Sequence, residues 1–388
     1  MKLKTIPTAG YKIGYGNIIK SLLGLDYYRH EEKNNNVAYF GFNTGTSALL
    51  FLLKYLKKCH PNKNQVIVPA YTCYSVPAAI EDSDLKILLC DLDVLTLDFN
   101  YDQLDTLIND KTLCVISTHY FGREINKKNL ENIKNRKSLI IIEDAAQGGY
   151  SIDNLNTVSD YIVISTGRGK PISTVGGGYI ITKKDNNNLS YIKKIYSIIP
   201  CQPAVVSALA VVKTIIVNIF LNPYLYSILS VLPALKLGET IYPKNIRLTK
   251  ISKFQRMLFN LEVNEDKKHT RSEVAKYYYE KLYKYSTIRQ PLIDEIYKYN
   301  PIRFPIYLSC KVLELPRGQC KLLRKHGISR MYPNILSELN EIKSFCINYN
   351  DNFPGAEYIV SRLVTLPTHS FLTRQDVKLV GNIIKNYL

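Results

Sequence analysis

A chain of 388 residues with 46% hydrophobic and 22% charged side chains can bury one large core and a smaller second domain, which excludes a disordered chain. The formal net charge of +18 favours anionic partners, but no zinc-finger spacing or RNA-binding aromatic motif accompanies it; solvated surface is the first reading, a phosphate-bearing substrate the second, and no nucleic-acid partner is expected. Eight cysteines at irregular spacing with no CxxC pair, and an N-terminus without an apolar core, predict a reduced, cytoplasmic chain with no signal peptide.

Residues 1–36 carry Pro7, Gly10, Gly14 and Gly16 ahead of a polar EEKNNN stretch and are expected to be irregular. The pattern is then ordered. Residues 37–42 are a short apolar run, and NTGTSALLFLLKYLKK reads as a turn entering a helix. Strands are predicted at 65–70, 86–93, 112–120, 138–147, 160–166 and 176–182. Helices are predicted at 74–81, within LDFNYDQLDTLIN, and from KNLENIKNR. Near-continuous apolar strands separated by helices predict an α/β fold with a mostly parallel sheet covered on both faces. Polar residues gather at the carboxyl ends of these strands, where open α/β sheets bind ligands.

Residues 204–237 are apolar and interrupted by Lys213, Asn218 and Pro223, which predicts a helical hairpin. Three readings stay open for it: buried or interface helices, a monotopic (peripheral) membrane contact, or a true span, which needs roughly 20 apolar residues. Residues 249–287 form an amphipathic helical region with a polar midpoint, consistent with two helices, and residues 301–388 mix short strands and helices. The expected organisation is an irregular segment 1–36, a large domain 37–248 containing the apolar insertion, and a small domain 249–388.

Three features carry chemistry. Asp144 closes the strand SLIIIED, where a carboxylate can bind a metal, act as a base, pair with a cationic ring nitrogen, or simply cap a helix. Lys170, in STGRGKPISTVGGG, is an accessible amine among small residues that can condense with a carbonyl, or serve as a phosphate-binding or surface lysine. In NTGTSALL, Gly45 frees the backbone and Thr46 and Ser47 open a helix; free amides and hydroxyls there suit a phosphate, against the plainer reading of N-capping. GRGK lacks the spacing of a Walker A loop. An amine, an acid and a phosphate cup are together what pyridoxal phosphate requires.

At this point the chain resembles the DegT/DnrJ/EryC1/StrS family of aminotransferases. The resemblance rests on NTGTSAL (43–49), VIVPAYT (66–72), CDLD (90–93), THYFG (118–122), EDAAQ (143–147), STGRGK (165–170) followed by GGG, and the later SRMYP, FPGAE and LPTH. It implies a type I aminotransferase fold, with a large PLP-binding domain and a smaller C-terminal α/β domain. It also implies pyridoxal 5'-phosphate as cofactor, a homodimer, L-glutamate as amino donor and a nucleotide-linked keto-sugar as acceptor. By residue, the resemblance makes Lys170 the Schiff-base lysine, Asp144 the partner of the pyridine nitrogen, and Gln147 the neighbour of the ring hydroxyl. Gly45, Thr46 and Ser47, helped by Ser165, would hold the phosphate, and His119 would lie beneath or beside the cofactor. Tyr332 and His369 match late motifs near the sugar site. Lys170 also argues against the dehydratase branch, which carries histidine there.

Two positions depart from the family pattern. Cys73 stands where an aromatic residue usually covers the ring, with Tyr74 next to it as a substitute. NIRLTKISKFQ (245–255) has no asparagine in register with the residue that crosses to the partner subunit's phosphate; Arg247 and Lys250 are the basic candidates, against ordinary surface basics. These departures keep open a pyridoxal-phosphate enzyme acting on a non-sugar carbonyl or amino acid. A non-catalytic scaffold at a membrane is the alternative from a different class.

Overall fold

The computed structural model describes residues 4–25, 36–123, 126–148, 158–230, 240–263, 268–282 and 296–388. Strands β1 (Val37–Phe42), β2 (Gln65–Pro69), β3 (Lys86–Cys90), β4 (Thr112–Thr118), β5 (Ile141–Asp144), β6 (Tyr161–Ser165) and β7 (Gly178–Lys183) form one sheet in the order β1-β7-β6-β5-β4-β2-β3. Pairings from β6 through β5, β4 and β2 to β3 are parallel, and β7 runs antiparallel to β1 and β6. The predicted mostly parallel sheet is present, with strands trimmed by up to three residues at either end.

Both sheet faces are covered because successive side chains point to opposite sides. Val66, Val68, Ile87, Leu89, Cys114, Ile116 and Ile142 meet the apolar face of the helix Gly45–Cys59. Ile67, Leu88, Val115 and Ile141 instead meet Leu104, Leu130 and Ile133. Each such side chain contributes about 1.5–3 kcal/mol by leaving water.

A second sheet pairs β8 (Arg303–Tyr307) with β9 (Leu363–Pro367) antiparallel, beside the helices Arg317–Lys325, Pro354–Arg362 and Arg374–Lys385. It is tied to the large sheet at the β3 edge. The Asn348 side chain takes the Leu89 amide and donates to the Leu89 carbonyl, both at 2.9 Å, and Ile87 exchanges backbone bonds with Phe345 and Ile347. The exposed edge is thereby paired rather than left open.

Three expectations are refined. The N-terminal segment is not wholly irregular, since Tyr15–Leu23 is a helix ended by Gly24 at φ 71°. The 204–237 segment forms helices Ala204–Phe220 and Pro223–Ser230, while 231–237 lie outside the described residues. Among the described residues no helix is long and apolar enough to cross a membrane. The region 249–287 holds two helices, Lys253–Glu262 and Lys268–Leu282, broken around its polar midpoint.

Candidate active site

The carboxyl end of β6, beside those of β5 and β4 in the sheet, meets the N-terminus of the helix Gly45–Cys59. In the β4–β5 register Ser117 faces Glu143 and Thr118 faces Asp144, so Glu143 and Asp144 lie on opposite sheet faces. Asp144 is buried. Burial holds its carboxyl above the usual carboxylate range, while Lys170, the Ala146 amide and His119 pull it back down. A buried carboxylate beside an amine is suited to hold a cationic partner.

His119 follows Glu143 instead. Its Nε2 lies 2.9 Å from Glu143 Oε2, both side chains are buried, and Ser159 donates to the other Glu143 oxygen. The imidazole is thus held by Glu143, whose side chain points to the sheet face opposite that of Asp144. Its backbone amide still donates to the Asp144 carbonyl at 2.9 Å and fixes the end of β5.

Lys170 stands on the loop after β6, half-buried and within electrostatic reach of Asp144. The loop turns through Gly169 at φ +74°, where a Cβ would come within 3.1 Å of Ala9. Arg271 donates to the carbonyls of Gly10 and, at 3.5 Å, Lys170, clamping the loop to the N-terminal segment.

The cup is built by close approach. A Cβ on Gly45 would stand 2.9 Å from Ser165 Cβ, and a Cβ on Gly178 would stand 2.4 Å from Gly45 Cα. Thr44 caps the helix by accepting the Ser47 amide at 3.0 Å. Ser47 is used in holding the chain, because its hydroxyl donates to the Arg247 carbonyl at 3.0 Å. The Gly45 and Thr46 amides, which have no intrahelical acceptor, and the Thr46 and Ser165 hydroxyls remain around the helix end. This cradle fits a phosphate.

On the other flank, Gln147 accepts the Phe121 amide and donates to the Tyr332 hydroxyl at 2.5 Å. Tyr332 lies within electrostatic reach of Cys73 and Asp144, which brings Gln147, Tyr332, Cys73 and Asp144 around one space. Tyr74, the other candidate for the ring face, is buried in the main core, and its hydroxyl accepts the Asn334 amide at 3.1 Å. Cys73 is half-buried, with Ser75 donating to its sulfur at 3.1 Å.

The remaining candidates lie apart. Lys250 Nζ donates to the Ser197 carbonyl at 2.9 Å and sits over the Tyr196 ring of its own chain. The Arg247 side chain is exposed, while its carbonyl receives Asn43 and Ser47. His369 is buried with Nε2 donating to the Pro7 carbonyl at 2.9 Å, so it anchors the N-terminal segment rather than facing the space around Tyr332.

One residue escaped the sequence reading. Arg303 opens β8 and is buried, yet no acid pairs with it among the described residues. It donates to Ser329 Oγ and makes a long contact with Met331 Sδ, its Nε has no partner, and Tyr71, Tyr226 and Tyr332 surround it electrostatically. Its signal was an arginine placed at the head of the apolar run RFPIYL.

Residues 33–198 match the model of the DegT/DnrJ/EryC1/StrS aminotransferase family. An uncharacterised protein of Methanocaldococcus jannaschii is 22% identical over 329 residues, covering 84% of this chain and 79% of that protein. The UDP-4-amino-4,6-dideoxy-N-acetyl-beta-L-altrosamine transaminase of Helicobacter pylori is 25% identical over 146 residues, covering 36% of this chain and 38% of that enzyme. Spr1654 of Streptococcus pneumoniae, solved in its PMP form, shares the fold with a TM-score of 0.71 at 16% identity, over 98% of this chain and 97% of that one. Residues 33–198, the part that matches this family's model, hold the acid, the lysine and the phosphate cradle, and the fold is shared with the solved aminotransferase over nearly the whole chain.

Proposed function

We propose that the chain transfers an amino group from L-glutamate to the ketone of a nucleotide-linked sugar, as a homodimer, in the synthesis of a surface polysaccharide or glycan precursor. The observation that carries the reading is Asp144 beside Lys170 at the strand ends that face the Gly45 helix N-terminus. Bound pyridoxal phosphate supplies an electron sink for the carbon that loses its proton.

The chain's own groups do the rest. Lys170 Nζ takes the proton from the donor's α-carbon and later delivers a proton to the acceptor's carbon. The Asp144 carboxylate holds positive charge on the ring nitrogen, which its burial strengthens. The Gly45 and Thr46 amides with Thr46 and Ser165 hold the phosphate. Gln147 and Tyr332 would hold the edge of the ring, and Cys73 would stand at its face in place of an aromatic residue. Arg303, buried without an acid, supports recognition of a carboxylate, because an unpaired buried guanidinium is costly until an anion reaches it. Arg247, exposed beside the cup, is the candidate to reach a partner subunit's phosphate.

Cys73 also supports a second reading, a non-sugar carbonyl acceptor, since the ring face is less covered than an aromatic residue would leave it. The test is the long-wavelength absorbance of protein loaded with cofactor, before and after L-glutamate, in the wild type and in Lys170→Ala. Bleaching by glutamate in the wild type, with no such absorbance in the variant, is the expected result. Unchanged absorbance in the wild type with glutamate, or the same spectrum in both proteins, overturns the roles of donor and lysine. A screen of nucleotide-linked keto-sugars against plain keto acids then decides the acceptor.

A further inference from the structure

The helix Ala204–Phe220 is packed with its polarity reversed. Its fully buried positions are Thr214 and Asn218, and Asn218 is bonded in both directions to the Ile13 backbone, at 3.1 and 3.0 Å. Apart from Lys213, its exposed positions are apolar, Val205 at 62% and Leu209 at 61% among them, with Val212, Ile216 and Ile219 along the same helix. The flanking helices continue the pattern: Ile19, Leu22 and Leu23 are exposed on Tyr15–Leu23, and Tyr224 and Ile228 on Pro223–Ser230. Tyr15–Leu23 and Ala204–Phe220 both pack on Lys253–Glu262, through a core of Ile13, Ile18, Phe254 and Leu258. A helix in water buries its apolar stripe and exposes its polar one, so this face is not built for water.

Its charge is one-sided as well. No aspartate or glutamate occurs in residues 1–25 or 186–238 of a chain that has 33 of them. Among the described residues, the charged side chains exposed on or beside these helices and on the helix they pack against include Lys12, Lys20, Lys213, Lys253 and Arg256. An apolar face with a cationic rim is the pattern of a segment lying in a membrane interface. A second copy would bring the same positive rim against itself, whereas an anionic bilayer complements both the apolar centre and the charge.

We propose that the face formed by Tyr15–Leu23, Ala204–Phe220 and Pro223–Ser230 seats the protein on an anionic lipid bilayer, in the plane of its surface. Docking would bring the site close to the membrane: Tyr226, on the last of these helices, lies within electrostatic reach of Arg303 and of Arg168, two residues from Lys170. The inference does not depend on the reaction assigned above.

The test is co-sedimentation of the full chain with vesicles of phosphatidylcholine alone and of phosphatidylcholine with about 30% phosphatidylglycerol, whose negative surface attracts basic segments. Binding is expected to the anionic vesicles, weakened by salt. The double substitution Leu209→Glu/Ile216→Glu should reduce it about tenfold or more, since charge replaces apolar contact. Lys213→Glu should reduce it less, and Leu313→Glu, at an apolar residue 76% exposed elsewhere, should leave it unchanged. Light scattering of the same proteins supplies the opposing outcome. Wild type that ignores both vesicles, with a double variant that falls from dimer to monomer, makes the face an interface between copies and overturns the proposal. Vesicle binding that survives the double substitution overturns it too. No cofactor or substrate enters the measurement, so it can fail while the aminotransferase reading stands.

Discussion

Side chains in and around the site are sorted by what their polar atoms already hold. His369 is fully enclosed, and burial, aided by Arg271 and Arg303, lowers its pKa to about 4. A histidine depressed in the folded state contributes stability above its unfolded pKa of about 6.5 and loses it as pH falls towards 4. Wild-type stability should therefore drop between about pH 6.5 and 4, by on the order of 3 kcal/mol. Chemical denaturation across that range should show a shallower drop in His369→Gln; equal slopes would place the proton elsewhere. Arg303 is the opposite case, a buried cation whose Nε holds nothing. Arg303→Met should raise KM for the amino donor by about tenfold or more while leaving cofactor binding intact, as expected for loss of a charge-assisted contact worth roughly 1.5–3 kcal/mol. A change confined to the acceptor's KM would move Arg303 from donor to acceptor recognition. Lys170 and Asp144 were legible because each stands in a phrase with a chemical reason, and Gln147 only through the family resemblance of EDAAQ. Arg303 was not, because its burial apart from every described acid is a fact of three-dimensional packing.

Among elements, the decisive contact is between the helix Gly45–Cys59 and the start of β7. Thr44 pairs with Gly177 in a parallel bridge, and Gly178 lies against the Gly45 backbone. Only a residue without a side chain allows that approach, which sets the helix N-terminus at the strand ends. Gly178→Ala would drive a methyl group to 2.5 Å from the Gly45 nitrogen. Overpacking of this kind costs about 1–3 kcal/mol. Cofactor titration should find affinity reduced by about tenfold in Gly178→Ala, since displacement of the helix end loses on the order of one phosphate hydrogen bond. Unchanged affinity would mean that the helix end is not the cup. The strands and this helix could be read from periodicity. The burial of Tyr74 in the core, with Cys73 left half-buried, could not, because neighbouring residues at the head of a helix diverge by about 100° and packing decides which one turns inward.

Across the whole molecule, the N-terminal segment is the strap that joins the parts. Thr5 bonds to Ser227, Ile6 to the Lys325 carbonyl, Pro7 to His369, Gly10 to Arg271, and Ile13 to Asn218, while Tyr11 donates to the buried Glu262 at 2.8 Å. One extended stretch thus touches the apolar hairpin, the small sheet's helices and the Lys170 loop. Ile13→Ala should cost about 2–4 kcal/mol, as a buried isoleucine lost from a packed contact does. A denaturant midpoint that moves by less than a quarter of that would show the strap to be peripheral. The sequence by itself determined the fold class, the strand order along the chain, and the lysine, acid and glycine turn, because these follow from local periodicity and from chemistry carried within short phrases. Tertiary structure alone decided that His119 meets Glu143, that His369 and Ser47 hold backbone, that Arg303 is buried with its Nε unpartnered, and that the hairpin turns its apolar side outward. Each of those depends on which distant group meets a side chain, and pairwise proximity between residues far apart in sequence is written in the packing rather than in any local pattern.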